Sequence, residues 1–440
     1  MKLMLGFGRA SITPDGPVRM NSQCTSDEIW HPIFAHVLYL CQGEEKALIV
    51  NLDVRELYTH FLDPLRPLVA EKTGVPEEKI VFATTHNHSC PDVGASGDTP
   101  HLVDWKNRIG YPGILEAVEA AVADAKPLIR MEGGKAISPK LNFVRRYQLA
   151  DGTWKGIATA NTSSSPRVAH ESQADLEFRA VRLFREGGKD IVLMNYQTHA
   201  AGALAKFNTK LNADFCGELR DTVEEATGAY AVYLQGACGN TNYFTYLPEE
   251  KEQEVWDYRE VGYALAKTAL EALSNAKELA LGNLQVRVEK YMAWVDHSMD
   301  NVAPRCLEIA NTIDDPAEKK KAMQEIGVNN RYELWGVIRR ANLPAQNPTD
   351  LSSIAFGDFA MAFCPHEMFD QLGLQLRDAS PYPMTFPCNY AQVYCGYMPS
   401  QNMVPHGEYE VNMCYYIPGT GETEILHLLQ QLQEMHKADH

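Results

Sequence analysis

EKIVFATTHNHSCPD (78–92) is the stretch from which the rest of the chain is best read. Its first half is a short β-branched and aromatic run, the length and composition of a buried strand, with Pro91 closing the segment behind it. The run ends by delivering His86 and His88. Residues two apart on an extended strand point to the same side, which is what two metal ligands from one strand require. A His-x-His pair also occurs in many chains as two hydrogen-bonded core imidazoles. By itself the pair therefore leaves ligation and packing equally open.

Outward from this stretch, apolar runs of strand length alternate with segments of helical periodicity. HVLYLCQ (36–42) and KALIVNLDV (46–54) flank the Gly43-Glu-Glu turn as a hairpin, and GILEAVEAAVADAK (113–126) is a helix that stops before Pro127. RAVRLFR (179–185) and KDIVLMNYQTH (189–199) form a second hairpin whose last residue is again a histidine, His199. ADFCGELRDTVEEATG (213–228) predicts a helix closed by Gly228, AYAVYLQGACGN (229–240) a strand entering a Gly-rich turn, and 249–276 one long helix. FGDFAMAFCPHE (356–367) reads as a strand leading to a helix at 368–377, NYAQVYCGYMPS (389–400) as a further strand, and ETEILHLLQQLQEMHK (422–437) as a terminal amphipathic helix. The pattern predicts an α/β fold of mixed β-sheets with surrounding helices. No repeat or Pro/Ser-rich linker divides the chain. A single domain over 1–440 is expected, with 285–350, which contains the charged helical stretch 314–342, as a candidate insertion.

Of the 440 residues 45% are hydrophobic and 22% charged, enough to build a core and inconsistent with disorder. Lys+Arg number 40 against 57 Asp+Glu, and the net charge of −17 repels phosphate backbones and anionic headgroups. Nucleic acid is excluded as a partner on this ground, and stable membrane association is disfavoured. A small-molecule partner is expected, and nothing in the sequence bears on oligomeric state. No run approaches the ~20 apolar residues of a membrane span, and the N-terminal apolar run is too short for a leader. The ten cysteines contain no C-x-x-C pair and read as reduced, buried thiols, so a cytoplasmic location is expected. Any metal site must then draw on histidines and carboxylates.

Three apolar strands end in a polar cluster: THNHS (85–89), QTHAAG (197–202) and CPHEMF (364–369). The carboxyl edge of a sheet is where α/β proteins build their sites. His86, His199 and Glu367 together offer two imidazoles and one carboxylate, a set that catalytic zinc uses while leaving a position open. Taken singly, His199 reads equally as a core histidine and Glu367 as a helix cap or a surface carboxylate.

These clusters carry a resemblance. THNHSCPDVG resembles the T-H-T-H-S-G-P-G element of the neutral, non-lysosomal ceramidase family. SITPDGPVRMNS (11–22) resembles that family's N-terminal segment, and NYQTHAAGAL with LNADFCGEL (195–219) its strand-histidine block. LQGACGNTN (234–242), CPHEMF and CGYMPSQNMVPHGEYE (395–410) resemble, in order, its Gly-Asp turn, its glutamate segment and its tyrosine block. The six blocks run from about residue 11 to 410. The resemblance implies Zn2+ held by His86, His199, Glu367 and Tyr397; from composition alone Tyr397 is an aromatic packing residue. It implies His88 as a proton-transfer residue, Tyr409 as donor to a developing oxyanion, and Arg145, in competition with Arg146, as a substrate contact. Asp214 fits two roles, orienting a metal-bound histidine or capping the helix that begins at Phe215.

This chain departs from the family at Asn240 and Asn242, where the relatives carry an aspartate and a serine. No serine nucleophile is available there, and both amides are expected to contact a polar substrate. The resemblance implies a zinc-dependent hydrolase of a linear amide, with an ester as the other option, and the departures at Asn240 and Asn242 with the charge of −17 point to an N-acyl compound smaller and more soluble than ceramide. The alternatives are a lyase or isomerase using the same polarised carbonyl, or a binding protein that has lost catalysis. A TIM-barrel amidohydrolase sharing only the His-x-His is disfavoured because eight regular βα repeats are not visible.

Overall fold

The computed structural model describes residues 1–440 apart from 22, 95–99, 158–162, 204–206, 254–256 and 440. The final residue of the 11–22 block and Leu204 of the strand-histidine block thus lie outside the described residues. The expected hairpins form. Phe34–Gln42 pairs antiparallel with Glu45–Leu52, and Glu177–Arg185 with Ile191–Tyr196. They belong to one nine-stranded sheet whose main path runs Tyr230–Gln235, Ile191–Tyr196, Glu177–Arg185, Lys126–Ile137, Met4–Ser11, Phe34–Gln42, Glu45–Leu52, Ile80–Thr84. The two outermost pairings are parallel and the others on that path antiparallel, so the sheet is mixed.

A second sheet of four strands, Gln285–Trp294, Gln346–Phe356, Phe359–Phe363 and Met384–Cys388, faces the first. Period-two alternation explains the near-continuous apolar runs. In Phe34–Gln42, Leu38 and Leu40 join the core between the sheets, while Val37 and Tyr39 pack against the helices outside. Phe359, Met361 and Phe363 likewise point to the inter-sheet core, and Ala360 and Ala362 to the outer helices. Helices Thr59–Thr73 and Tyr111–Ala123 cover one half of the large sheet's outer face, and Asp214–Thr227 and Tyr258–Ser274 the other. Asp370–Ala379 and Thr420–Asp439 cover the small sheet.

Two elements differ from expectation. The helix expected over 249–276 is a 3-10 turn at Pro248–Gln253 followed by the helix Tyr258–Ser274, whose N-terminus is fixed by Asp257 accepting from the Arg259 amide. The strand expected over 389–400 is present only at Tyr397–Met398. Tyr390, Gln392 and Gly396 hold φ of 55°, 62° and 84°, and left-handed residues break a pleated ladder. Within 285–350 the two ends are strands of the small sheet, and helices Ala303–Thr312, Pro316–Glu325 and Arg331–Ala341 between them share a small core of their own.

Candidate functional site

Strand Ile80–Thr84 stops two residues before His86, because His86 itself has φ of 54°. The two histidines therefore do not converge by strand alternation, as the sequence suggests. They converge because a left-handed residue, at a cost of about 1–2 kcal/mol, folds the chain back at that point. Asn87 pins the fold. Its Nδ2 donates to the carbonyls of Asp53 and Asn212, and its Oδ1 accepts from the Ser89 amide. Behind it, Asp53 accepts from both Arg220 Nη atoms at 2.7 Å, from the Phe34 amide and from Thr85 Oγ1.

The result is a cluster of three imidazoles. His86 Nε2 lies 3.0 Å from His199 Nε2 and 3.1 Å from His88 Nε2. The Glu367 Oε2 atom stands 3.5 Å from His86 Nε2 and 3.6 Å from His199 Nε2. Tautomers follow from the other ring nitrogens. His86 Nδ1 contacts the Arg55 carbonyl at 2.9 Å and His199 Nδ1 the Cys238 carbonyl at 3.0 Å. A carbonyl can only accept, so both Nδ1 atoms donate a proton, and the two Nε2 atoms face each other. Two ring nitrogens 3.0 Å apart need a proton or a metal cation between them. Nitrogens bound at about 2.0–2.1 Å to a tetrahedral metal lie about 3.3 Å apart, so the donor set fits an ion. Burial, with Arg145 nearby, holds His199 well below the usual imidazole range. Among the described residues His86, His88 and His199 group as a candidate metal cluster. His88 differs from the other two: it is half-buried, and its Nδ1 has no carbonyl anchor among the described residues.

Glu367 is a buried strand residue rather than a cap. Its two-residue strand pairs in parallel with Tyr397–Met398, directly opposite Tyr397. Gly239 lies against this pair, and a Cβ there would stand 2.2 Å from the Glu367 carbonyl. The turn that orients His199 through Cys238 thus needs glycine next. Burial raises the Glu367 carboxyl, but the His86 imidazole, Arg145 and the Tyr394 hydroxyl outweigh it and hold the carboxyl below its ordinary value. The Tyr397 hydroxyl accepts from Arg145 Nη2 at 3.0 Å and lies 3.5 Å from the Tyr409 hydroxyl. Burial and Glu367 push Tyr397 well up, with Arg145 opposing. Burial also raises Tyr409, to about 12.

Arg145, not Arg146, faces this centre. It bonds Glu410, Asn242 Oδ1, the Gly239 carbonyl and Tyr397. Arg146 instead joins Glu171 to Glu410. Two expectations are corrected here. Asn240 does not face a substrate: its Nδ2 donates to Asp370 Oδ1 at 2.7 Å and its Oδ1 accepts from the Asp370 amide, so the amide is spent on the start of helix Asp370–Ala379. Asp214 orients no histidine. Its carboxylate accepts from the Ala203 and Phe215 amides and the Tyr243 hydroxyl, and backbone carbonyls orient the rings instead. Asn242 is buried against Arg145.

Two residues of the site escaped the sequence reading. The Tyr390 ring stacks on His86 with centroids 3.7 Å apart, and its hydroxyl reaches Glu367 Oε2 at 3.4 Å. The Tyr394 hydroxyl donates to Glu367 Oε1 at 2.7 Å. Their only sequence signal is the spacing Tyr390, Tyr394, Tyr397 in a segment that reads as a strand.

The two-sheet α/β fold is neutral-ceramidase-like. All of this chain aligns with the structure of neutral ceramidase from Pseudomonas aeruginosa, at a TM-score of 0.72 and 17% identity over 75% of that chain. It aligns equally completely with a ceramidase complexed with C2, at a TM-score of 0.70 and 16% identity over 76% of that chain. No protein-family model and no curated protein matches the sequence. At these identities the likeness establishes the fold. No described helix is long and apolar enough to cross a membrane, and all ten cysteines are free.

Proposed function

We propose that the chain is a zinc-dependent hydrolase of a linear amide, acting on an N-acyl compound smaller and more soluble than a long-chain ceramide. The observation that carries this reading is the pair of carbonyl-anchored imidazoles, His86 and His199, with Nε2 atoms 3.0 Å apart beside the Glu367 carboxylate. His86, His199, Glu367 and Tyr397 are the residues we assign to the ion, and the likeness to two ceramidase structures supports an amide substrate. A zinc ion held there supplies Lewis-acid polarisation of a carbonyl and acidifies water at neutral pH.

The chain's own residues do the rest. His88, half-buried and with no Nδ1 anchor among the described residues, takes a proton from the attacking water and returns it to the departing amine nitrogen. Tyr409, kept neutral by burial, donates its hydroxyl proton in a hydrogen bond to the oxyanion that develops on the carbonyl oxygen. Arg145, fixed by Glu410 and the Gly239 carbonyl, holds the Tyr397 hydroxyl in place. The products are a carboxylate and an amine. We assign the protein to the cytoplasm, as one domain with a helical insertion within 285–350, acting on a small molecule with neither nucleic acid nor membrane as partner. The test is hydrolysis by zinc-loaded protein of short N-acyl amino sugars and N-acyl amino acids, side by side with detergent-solubilised ceramide. A higher kcat/KM on a short soluble amide is the expected result. A higher kcat/KM on ceramide overturns the substrate assignment, and no turnover of any amide overturns the reaction.

A further inference from the structure

A cleft of about 920 Å³ lies beside the candidate site, bordered by Tyr58, Tyr394 and Tyr415 on one side and by the two long strands of the small sheet on the other. Its volume is in the range of small-molecule sites, about 300–1,000 Å³. Tyr58 and Tyr394 meet edge to face with centroids 5.9 Å apart. Tyr394 touches both cleft and site: it borders the cleft, and its hydroxyl donates to Glu367 Oε1 at 2.7 Å.

The polar groups of the lining select among ligand chemistries. Both lining cations are engaged. Arg66 donates to the carbonyls of Glu77 and Ile80 and to Gln392 Oε1, and Lys290 pairs with Asp350 at 3.6 Å. An anionic ligand would meet engaged cations and the carboxylates of Asp63, Glu77 and Glu78. An alkyl chain laid along the cleft would strip water from Asp63, Asn347 and Asp350 and return no hydrogen bond. A sugar ring satisfies both kinds of surface. Its C–H face lies on a flat aromatic ring, and its vicinal hydroxyls donate to the lining carboxylates and the Asn347 amide oxygen, Gln392 being spent on Arg66 and the Ile80 carbonyl. We propose that this cleft binds a neutral saccharide, so that the N-acyl compound reaching the site is an N-acylated amino sugar carried on an oligosaccharide. The inference rests on the reading of the site as an amide hydrolase and names its substrate class.

Calorimetric titration of the full-length protein with the β-1,4-linked trimer of N-acetylglucosamine tests it, with N-acetylglutamate and a short-chain ceramide in detergent as comparisons. Val288→Trp occludes the cleft from a strand position that is 37% exposed and remote from the candidate ligands. Tyr58→Ala removes one wall. The trimer is expected to bind the wild type and His199→Ala with similar affinity, and at least tenfold more weakly to Val288→Trp and to Tyr58→Ala. Absence of saturable trimer binding, binding indifferent to both cleft variants, or tighter binding of either comparison compound overturns the proposal. Trimer binding with no turnover of it or of any other amide by the zinc-loaded enzyme leaves the cleft assignment standing and refutes the hydrolase reading. Hydrolysis with binding indifferent to the cleft variants does the reverse.

Discussion

Replacing Asp370 by asparagine isolates one buried carboxylate whose ionisation opposes folding. Asp370 is 1% exposed; its Oδ1 accepts from Asn240 and the Gln371 amide, and its Oδ2 has no hydrogen-bond partner among the described residues. Burial is the largest influence on it and raises its pKa from 3.8 to about 7, against the smaller opposing effect of Asn240. The folded value lies above the unfolded one, so the folded state binds the proton more tightly, and this group's contribution to stability falls as pH rises from about 4 to about 7. At about 1.36 kcal/mol per tenfold change in proton affinity, the fall is about 4 kcal/mol. The asparagine side chain of Asp370→Asn cannot ionise, yet keeps the oxygen that Asn240 and Gln371 use. Urea unfolding of both proteins at pH 5 and pH 8 reads the effect as a difference of differences, in which the other titrating groups cancel, including Asp214, which burial raises to about 6. The variant should gain about 2–3 kcal/mol on the wild type between the two pH values, since part of the fall already lies below pH 5. A wild-type-to-variant difference that stays constant across this range would show that Asp370 is ionised in the folded protein without penalty, and the reasoning would fail.

His199→Ala should abolish metal retention after dialysis while leaving the far-ultraviolet circular dichroism unchanged, because the inter-sheet core does not include the site. Retained metal would refute the ligand assignment. His88→Ala should keep the metal and lower kcat by about 10²–10⁴, as removal of a general acid or base does; metal loss instead would make His88 a ligand. Arg220→Met should destabilise by about 3–5 kcal/mol in denaturant titrations, since it leaves Asp53, fully buried, without its cation. Adding Asp53→Asn should recover part of that loss, and equal stability of Arg220→Met and wild type would contradict the pairing.

The strands were legible where both faces are buried. Phe34–Gln42, Glu45–Leu52 and Ile191–Tyr196 read as apolar runs because alternate residues enter two different cores. The polar residues after such runs, His86, His199 and Glu367, were legible as a set for the same reason, since each sits just past a strand end. What was not legible depends on backbone conformation or on long-range partners. Nothing in the sequence marks His86, Tyr390 or Gln392 as left-handed, yet these residues turn the chain back at the site and break the expected strand at 389–400. The fate of Asn240 depended on Asp370, distant in sequence and reached only through the fold. Tyr390 and Tyr394 looked like strand aromatics because aromatic content signals packing before it signals a hydrogen bond to a carboxylate.

We propose that His86, His199, Glu367 and Tyr397 hold one zinc ion with His88 beside it. Crystals of the as-purified protein, measured with X-rays just above and just below the zinc absorption edge, test it most directly. One anomalous peak per chain is expected, present only above the edge, within about 2.0–2.2 Å of His86 Nε2, His199 Nε2, a Glu367 oxygen and the Tyr397 hydroxyl oxygen, with His88 outside bonding distance. No peak at this cluster in zinc-supplemented protein, or a peak bonded to His88 in place of Glu367 or Tyr397, would contradict it.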